Sequence, residues 1–221
     1  MTTEPNSKFP EPSFNGKHSR SMRLWHWSSF LAMSGSLITV LLAKTLFNTK
    51  SNIALVQDTL NEAKISVSAD QAKSVSHEFN DLLWHWHIYI GYALSALFLF
   101  RIIFEFFQPK EQKVIPILKN TLKALKMPGA DKKYIKHYLL VRWLYVILYL
   151  SLFTQACTGL FMVYSDDVEN LKTIRHNVSD IHSFNMWVII SFIVLHLGGV
   201  IMSELGKRNK GVVSEMINGG E

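Results

Sequence analysis

Four stretches without any charged residue place the strongest constraint on the fold of this chain. They cover residues 24–43, 82–100, 143–164 and 181–203. At about 1.5 Å of rise per helical residue, each is long enough to cross the hydrocarbon core of a bilayer. A soluble fold would need four core helices far longer than the average helix of a globular protein. We therefore predict an all-α membrane protein, a four-transmembrane-helix up-down bundle with spans at about 24–43, 82–107, 138–164 and 181–204.

The charges between these spans predict the orientation of the bundle. Lysines dominate residues 108–137 and basic residues flank the first and last spans, whereas acidic residues outnumber basic ones in 44–81 and 165–181. The positive-inside rule then predicts a polar cytoplasmic tail 1–22, a membrane domain 23–205 with an outer loop 44–81 and a basic cytoplasmic loop 108–137, and a cytoplasmic tail 206–221. Both termini lie in the cytoplasm, and no cleavable signal peptide is expected. The net charge of +6 follows from this topology and favours anionic membrane lipid, not nucleic acid, as a partner.

The outer loop 44–81 is long enough to hold structure of its own. Residues 53–67 have mixed helical patterning, and Asn52 or Ser51 is a plausible N-cap. We expect a short amphipathic helix here. It could lie on the outer membrane surface or dock a partner.

Histidines at matched depths suggest two ligand pairs. His182 and His196 are 14 residues apart on the fourth span, which places them within about 40° of one face and about 21 Å apart along the helix. One metal cannot bridge that distance, whereas two stacked cofactors can. His26 begins the first span on the inner side and matches the depth of His196. The second span begins on the outer side, so His85 or His87 matches His182.

Bis-imidazole ligation of haem iron in a four-helix bundle accounts for both pairs. Cys157 is the only cysteine, which excludes an intramolecular disulfide, a Cys-ligated iron–sulfur cluster and C-x-x-C-H haem attachment. We therefore predict two haem b cofactors. A haem-free alternative, in which each histidine merely hydrogen-bonds a neighbouring helix, would leave the two matched depths of the four histidines as a coincidence.

Helical phase distinguishes the two histidines of the second span. His85 and His87 are about 200° apart, so only one can face the bundle. Gly91, one turn after His87, would let a flat macrocycle approach, and Arg101 lies on the same face at inner depth. An intramembrane charge needs an anion or must snorkel, and both explanations of Arg101 stay open. The candidate partners for haem propionates are Arg23, Arg101 and Arg142.

Short motifs in all four spans carry a resemblance to a known superfamily. They are Arg23-Leu24-Trp25-His26-Trp27 in the first span, His87, Gly91 and Arg101 in the second, Thr158-Gly159 in the third, and His182, Trp187 and His196 in the fourth. With these motifs the chain resembles the four-helix di-haem cytochromes b, which include the b-type cytochrome subunit of Ni–Fe hydrogenases, the gamma subunit of formate dehydrogenase and bacterial cytochrome b561. The resemblance implies that His26 and His196 ligate an inner haem, and His87 and His182 an outer one.

The resemblance also implies a function. We expect a membrane subunit of a respiratory oxidoreductase in the bacterial inner (cytoplasmic) membrane, which carries electrons between a redox protein on the periplasmic side and quinone. A stand-alone quinone or superoxide oxidoreductase and a haem-free histidine proton-relay channel or transporter are the alternatives. Exposed aromatic faces would suit a dimer or a larger complex. Groups available for a quinone near the inner haem are His18, Arg23, His137 and Arg142.

Overall fold

The computed structural model describes residues 19–107, 113–126, 132–165, 168, 171–206 and 211–219. These residues are almost entirely helical and contain no β-strand. The helices are α1 (Arg20–Lys44), α2 (Thr49–Glu62), α3 (Ala69–Phe107), α4 (Val114–Leu125), α5 (Lys132–Tyr164), α6 (Lys172–Leu205) and α7 (Val212–Ile217). Four of them, α1, α3, α5 and α6, are long and apolar enough to cross a membrane. The predicted all-α class with four spans is thereby confirmed.

The longest helix, α3, reaches well beyond its charge-free stretch. Its 39 residues extend for about 58 Å, whereas a bilayer core is only about 30 Å thick. It begins at Ala69, and α2 packs against it. Ala72 and Ser76, one turn apart near its start, are buried. Their side chains are small, so α2 can approach α3 closely at this point. The connection 44–81 therefore contains a helical hairpin, which we call the α2–α3 hairpin (49–81).

The short helix expected in this connection exists, but its predicted cap and limits were wrong. The helix α2 begins at Thr49 and ends at Glu62, not at 53 and 67. Its N-cap is Asn48, whose side-chain oxygen accepts hydrogen bonds from the backbone N–H groups of Lys50 and Ser51 at 3.1 and 3.3 Å. An Asn side chain in this position satisfies orphan donors of the first turn, so the helix begins earlier than the apolar pattern suggests.

One interhelical contact fixes the end of α1. The side-chain amide of Asn80 on α3 donates to the backbone carbonyls of Ala43 and Phe47, both at 2.8 Å. The last carbonyls of a helix lack partners within it, so Asn80 satisfies the Ala43 carbonyl at the end of α1 and ties the following turn at Phe47 to α3. The indole N–H of Trp84 donates in turn to the Asn80 side-chain oxygen at 2.9 Å. This contact ties α3 to α1 close to the start of the membrane-crossing part of α3.

Few apolar side chains are buried in the described chain. They are Ala43, Ala72, Phe98, Tyr138, Leu139 and Ile189. Interiors of soluble proteins are filled to crystal-like density by such residues. The long helices here are instead mostly exposed and apolar, as expected for surfaces that meet lipid. The chain divides into two compact units, one formed by Ser28–Phe192 and the other by Met1–Trp27 with Ile193–Glu221.

Candidate functional site

The first histidine pair joins α3 and α6 within the unit Ser28–Phe192. The ring centroids of His87 and His182 are 6.4 Å apart, with the ring planes at 79°. His85 does not take part, because it is exposed and its Nδ1 atom lies 2.9 Å from the backbone carbonyl of Asp81. The rotation of α3 therefore directs His87, and not His85, toward α6.

The second pair joins α1 and α6 within the other unit. The ring centroids of His26 and His196 are 6.2 Å apart, with the planes at 57°. The edge of Trp27 meets the His26 ring at 5.4 Å. The structure thus brings together the same two pairs that helical depth predicted from the sequence.

The spacing in both pairs fits one metal ion between two imidazoles. Each ligating nitrogen would lie about 2 Å from the metal, and the centre of each five-membered ring lies further out by the radius of that ring. Two rings on opposite sides of one ion would then have centroids about 6.3 Å apart, close to the distances of both pairs. No group of three or more His, Cys, Asp or Glu side chains suited to a metal occurs among the described residues. Haem needs only two protein ligands, since its macrocycle supplies the others.

The Nδ1 atom of His87 contacts hydroxyl and carbonyl groups of α1. Its Nδ1 atom lies 3.1 Å from Thr39 Oγ1 and 3.3 Å from both the hydroxyl and the carbonyl oxygen of Ser36. Thr39 is buried, and its own hydroxyl donates to the Ser36 carbonyl at 2.7 Å. These contacts set the orientation of the ring from its Nδ1 side.

A longer polar network holds His182. Its Nδ1 atom lies 2.9 Å from Thr158 Oγ1, and its Nε2 atom 2.8 Å from the amide nitrogen of Gln155. The Gln155 side-chain oxygen accepts from the amide of Asn185 at 2.6 Å, and the same amide donates to the Ser151 carbonyl at 2.8 Å. Both nitrogens of His182 are therefore engaged by side chains of α5.

Two glycines shape the surroundings of this pair. A Cβ atom added at Gly159 would lie 3.3 Å from Cε1 of His182, so the bare backbone lets the ring lie close to α5. A Cβ atom at Gly91 would meet nothing within 4 Å. The space beside Gly91 is thus open, as the proposed packing of a macrocycle requires, although that role stays a prediction.

The three predicted cationic residues lie in different surroundings. Arg101 is buried, forms a 2.9 Å ion pair with Glu105 one turn further along α3, and lies over the ring of Tyr149. Its intramembrane charge is therefore compensated by a carboxylate that the sequence reading did not weigh. Arg142 donates to the hydroxyl of Tyr138 at 2.7 Å. The propionate roles of both arginines stay predictions.

Arg23 has the surroundings that best suit an anionic ligand. Its Nη1 atom is buried and has no hydrogen-bond partner among the described residues. A buried donor without a partner is costly, and an added carboxylate would satisfy it. The guanidinium packs against Gly219, where a Cβ atom would come within 2.6 Å of Nη1. Arg23 and His26 lie one turn apart on α1, so the cation and the second histidine pair belong to one site.

Sequence reasoning missed the polar partners of the imidazoles. They are Ser36, Thr39 and Gln155, and Asn185 holds Gln155 in turn, while Thr158 and Gly159 entered only through the family resemblance. The sequence signal was a polar side chain inside a charge-free stretch. Such side chains are common in membrane helices, so their presence alone does not identify which of them bonds a histidine. Of the two histidines considered for quinone, His137 is exposed and His18 lies outside the described residues.

Comparison with known proteins adds one finding. The family model described as prokaryotic cytochrome b561 matches residues 17–219, a range that includes all four long helices and both histidine pairs. No curated protein and no solved structure matches the chain.

Proposed function

The chain belongs to the prokaryotic cytochrome b561 family, and on that premise we propose that it holds two b haems and carries electrons across the membrane. The family consists of multi-pass membrane proteins that bind haem b and transfer electrons. We place this chain in the bacterial inner membrane as a subunit of a respiratory oxidoreductase. It would connect a redox protein on the outer side with the quinone pool.

The two histidine pairs are the observation that supports this proposal. His26 with His196, and His87 with His182, have ring spacings of 6.2 and 6.4 Å, which suit one haem iron each. Arg23 would bind a propionate at the first pair, because its buried Nη1 lacks a hydrogen-bond partner within the described chain. When bound, haem supplies one-electron redox chemistry. The protein would position the macrocycles, keep water away and set their potentials through ligand contacts.

The α2–α3 hairpin supports a partner on the outer side. It carries the exposed apolar side chains of Leu55, Val75 and Phe79, beyond the charge-free part of α3. Val75 and Phe79 lie one turn apart on α3, and an exposed apolar patch is a feature of protein interfaces. The charge pattern predicts that this connection lies on the outer side and the Arg23 end of α1 on the cytoplasmic side. A quinone would then bind near the His26 and His196 pair, because its headgroup needs polar groups beside an apolar surface.

An absorbance spectrum with haem counted per polypeptide tests the proposal on the purified full chain. We expect two b haems in the wild type, one after His87→Ala and two after His85→Ala, which is the matched control on the opposite face of α3. A wild-type protein without haem would favour the proton-relay alternative. Loss of a haem in the His85→Ala variant would contradict the facing of α3.

A second measurement separates a subunit from a stand-alone enzyme. The purified chain in liposomes should exchange electrons with quinone only when an outer electron donor or acceptor is supplied. If quinone reacts on the cytoplasmic side, this exchange should generate a membrane potential. Rapid quinol-dependent superoxide chemistry by the single chain would instead support the stand-alone alternative, and charge-neutral turnover would contradict the proposed direction across the membrane.

A further inference from the structure

We propose that Thr39 and Thr158 are positioning residues that fix the tautomers of His87 and His182. Each threonine hydroxyl would accept a hydrogen bond from the Nδ1–H group of its histidine and leave Nε2 unprotonated, which is the form that binds a metal. The inference rests on the proposed function only in naming haem iron as that metal. The tautomer itself follows from the hydrogen bonds of the protein.

Toward His182, the hydroxyl of Thr158 can only accept a hydrogen bond. The hydroxyl of Thr158 lies 2.6 Å from the backbone carbonyl of Thr154, so the hydroxyl proton is directed to that carbonyl. Thr158 Oγ1 then has only lone pairs for His182 Nδ1 at 2.9 Å, and Nδ1 must carry the proton. A neutral imidazole has a single N–H group, which leaves Nε2 unprotonated.

The hydrogen bonds of Gln155 also indicate that Nε2 of His182 carries no proton. The Ser151 carbonyl accepts from the amide nitrogen of Asn185 at 2.8 Å, and that nitrogen donates its second proton to the Gln155 side-chain oxygen at 2.6 Å. With its oxygen so occupied, Gln155 presents its amide nitrogen to His182 Nε2 at 2.8 Å. An amide nitrogen can only donate, so Nε2 must accept and cannot carry a proton.

The same construction recurs at His87 on different helices. The hydroxyl of Thr39 donates to the Ser36 carbonyl at 2.7 Å, and its oxygen then accepts from His87 Nδ1 at 3.1 Å. The Ser36 carbonyl, 3.3 Å from the same nitrogen, can also only accept. These two oxygens place the proton of His87 on Nδ1, and the Ser36 hydroxyl, also 3.3 Å away, is then a third acceptor. In each case a threonine that bonds its own helix backbone holds an imidazole of another helix.

This arrangement prepares both rings for metal binding before any metal arrives. The unprotonated Nε2 atom is the one left to face a metal, and no proton has to leave it. Donation from Nδ1–H to a fixed oxygen also raises the basicity of the ligating nitrogen. At His182 the Gln155 amide occupies Nε2 in the structure, so it must move away when a metal binds, whereas Thr158 can stay in place.

Nitrogen-15 NMR of the full-length apoprotein in lipid nanodiscs tests the tautomers directly. Protonated and bare ring nitrogens have well-separated shifts, and single histidine variants assign the signals. We expect a protonated Nδ1 and a bare Nε2 at both His87 and His182. An Nε2–H tautomer at either ring would overturn the inference for that ring, and this readout does not depend on haem.

Titration of the apoprotein with hemin tests whether the threonine acceptor raises the affinity of the site for haem iron. Thr158→Val keeps the shape of the side chain but removes the acceptor, and we expect the hemin dissociation constant of that site to rise about 10- to 100-fold, the usual effect of losing an outer-shell partner. Its midpoint potential should also rise, because the imidazole becomes less basic. Thr158→Ser, which keeps the hydroxyl, should restore both values.

The matched control is Thr45→Val. The hydroxyl of Thr45 also donates to its own helix backbone, at Leu41, but contacts no imidazole, so this variant should bind hemin like the wild type. Unchanged affinity and potential in Thr158→Val would overturn the inference. Failure of the wild type to bind hemin would contradict the proposed function, while the NMR result would still decide the tautomers.

Discussion

Replacing Gly91 by alanine should increase the stability of the apoprotein and decrease its affinity for haem. Gly91 lies inside α3, and a Cβ atom there would meet nothing within 4 Å. Alanine is about 1 kcal/mol more favourable than glycine in a helix interior. With no protein atom in the way, the free energy of unfolding of the apoprotein should therefore increase by about 1 kcal/mol.

The effect should reverse once haem is bound. Gly91 lies one helical turn after His87 and on the same face of α3, so an added methyl group would project toward a macrocycle held by that histidine. Forcing one extra methyl into a filled site costs about 1–3 kcal/mol. This corresponds to a hemin dissociation constant about 5- to 150-fold higher at the His87 and His182 site, with the other site unaffected.

Gly198→Ala provides the matched control. A Cβ atom at Gly198 also meets nothing within 4 Å, but this glycine is two residues after His196 and so about 200° away around α6. It should show the gain in apoprotein stability without the loss of affinity. Stability is measured by detergent-induced unfolding and affinity by hemin titration. Wild-type hemin affinity in Gly91→Ala would refute the reasoning that this glycine faces the cofactor.

Two further variants test contacts away from the histidine pairs. Asn80→Ala removes three hydrogen bonds, two to the carbonyls of Ala43 and Phe47 and one from the indole of Trp84. It should lower the free energy of unfolding by about 2–3 kcal/mol, measured by detergent-induced unfolding. Gly219→Ala should release the C-terminal segment from α1, because a Cβ atom would meet the Arg23 guanidinium and because the φ angle of +92° is strained for alanine. The expected readouts are faster proteolysis of the segment and a changed fluorescence of Trp27, whose indole N–H donates to the backbone carbonyl of Met216.

Each of these variants has a control of the same residue type. Asn61→Ala changes an exposed asparagine on α2 and should leave stability within about 0.5 kcal/mol of the wild type. Gly211→Ala introduces alanine at a similar positive φ of +97° with nothing within 4 Å. If Gly211→Ala and Gly219→Ala have equal effects on proteolysis, backbone strain alone explains the result and the contact with Arg23 contributes nothing.

The long helices were predictable because lipid imposes a simple rule on sequence. A backbone that crosses the membrane must bond itself and avoid charge, and the charge-free stretches reveal the segments that do so. The start of α3 at Ala69 was not predictable in this way. Residues 69–81 include Asp70, Lys73 and Asp81, and this part of α3 is supported by packing against α2, a tertiary effect that charge counting cannot detect.

The facing of the histidines was accessible from the sequence, but their polar partners were not. Helical phase is a property of one helix, so the positions of Gly91 and Arg101 favoured His87 over His85. A hydroxyl such as that of Thr158 can bond its own backbone, a neighbouring helix or both, and the choice depends on how closely two helices approach. Glu105 is a different case. Its spacing of four residues from Arg101 is typical of an ion pair on a helix, so this contact could have been predicted from the sequence.

The two histidine pairs share one helix, and this has a consequence for biogenesis. The helix α6 contributes both His182 and His196 and is the last of the four long helices in chain order. Because chains are synthesised from the N-terminus, α1, α3 and α5 reach the membrane first, with half of each pair. Neither pair exists until α6 has been inserted, and that single event completes both. Haem loading should therefore be a late step, and a chain stalled before α6 should accumulate without paired ligands, as a target for quality control.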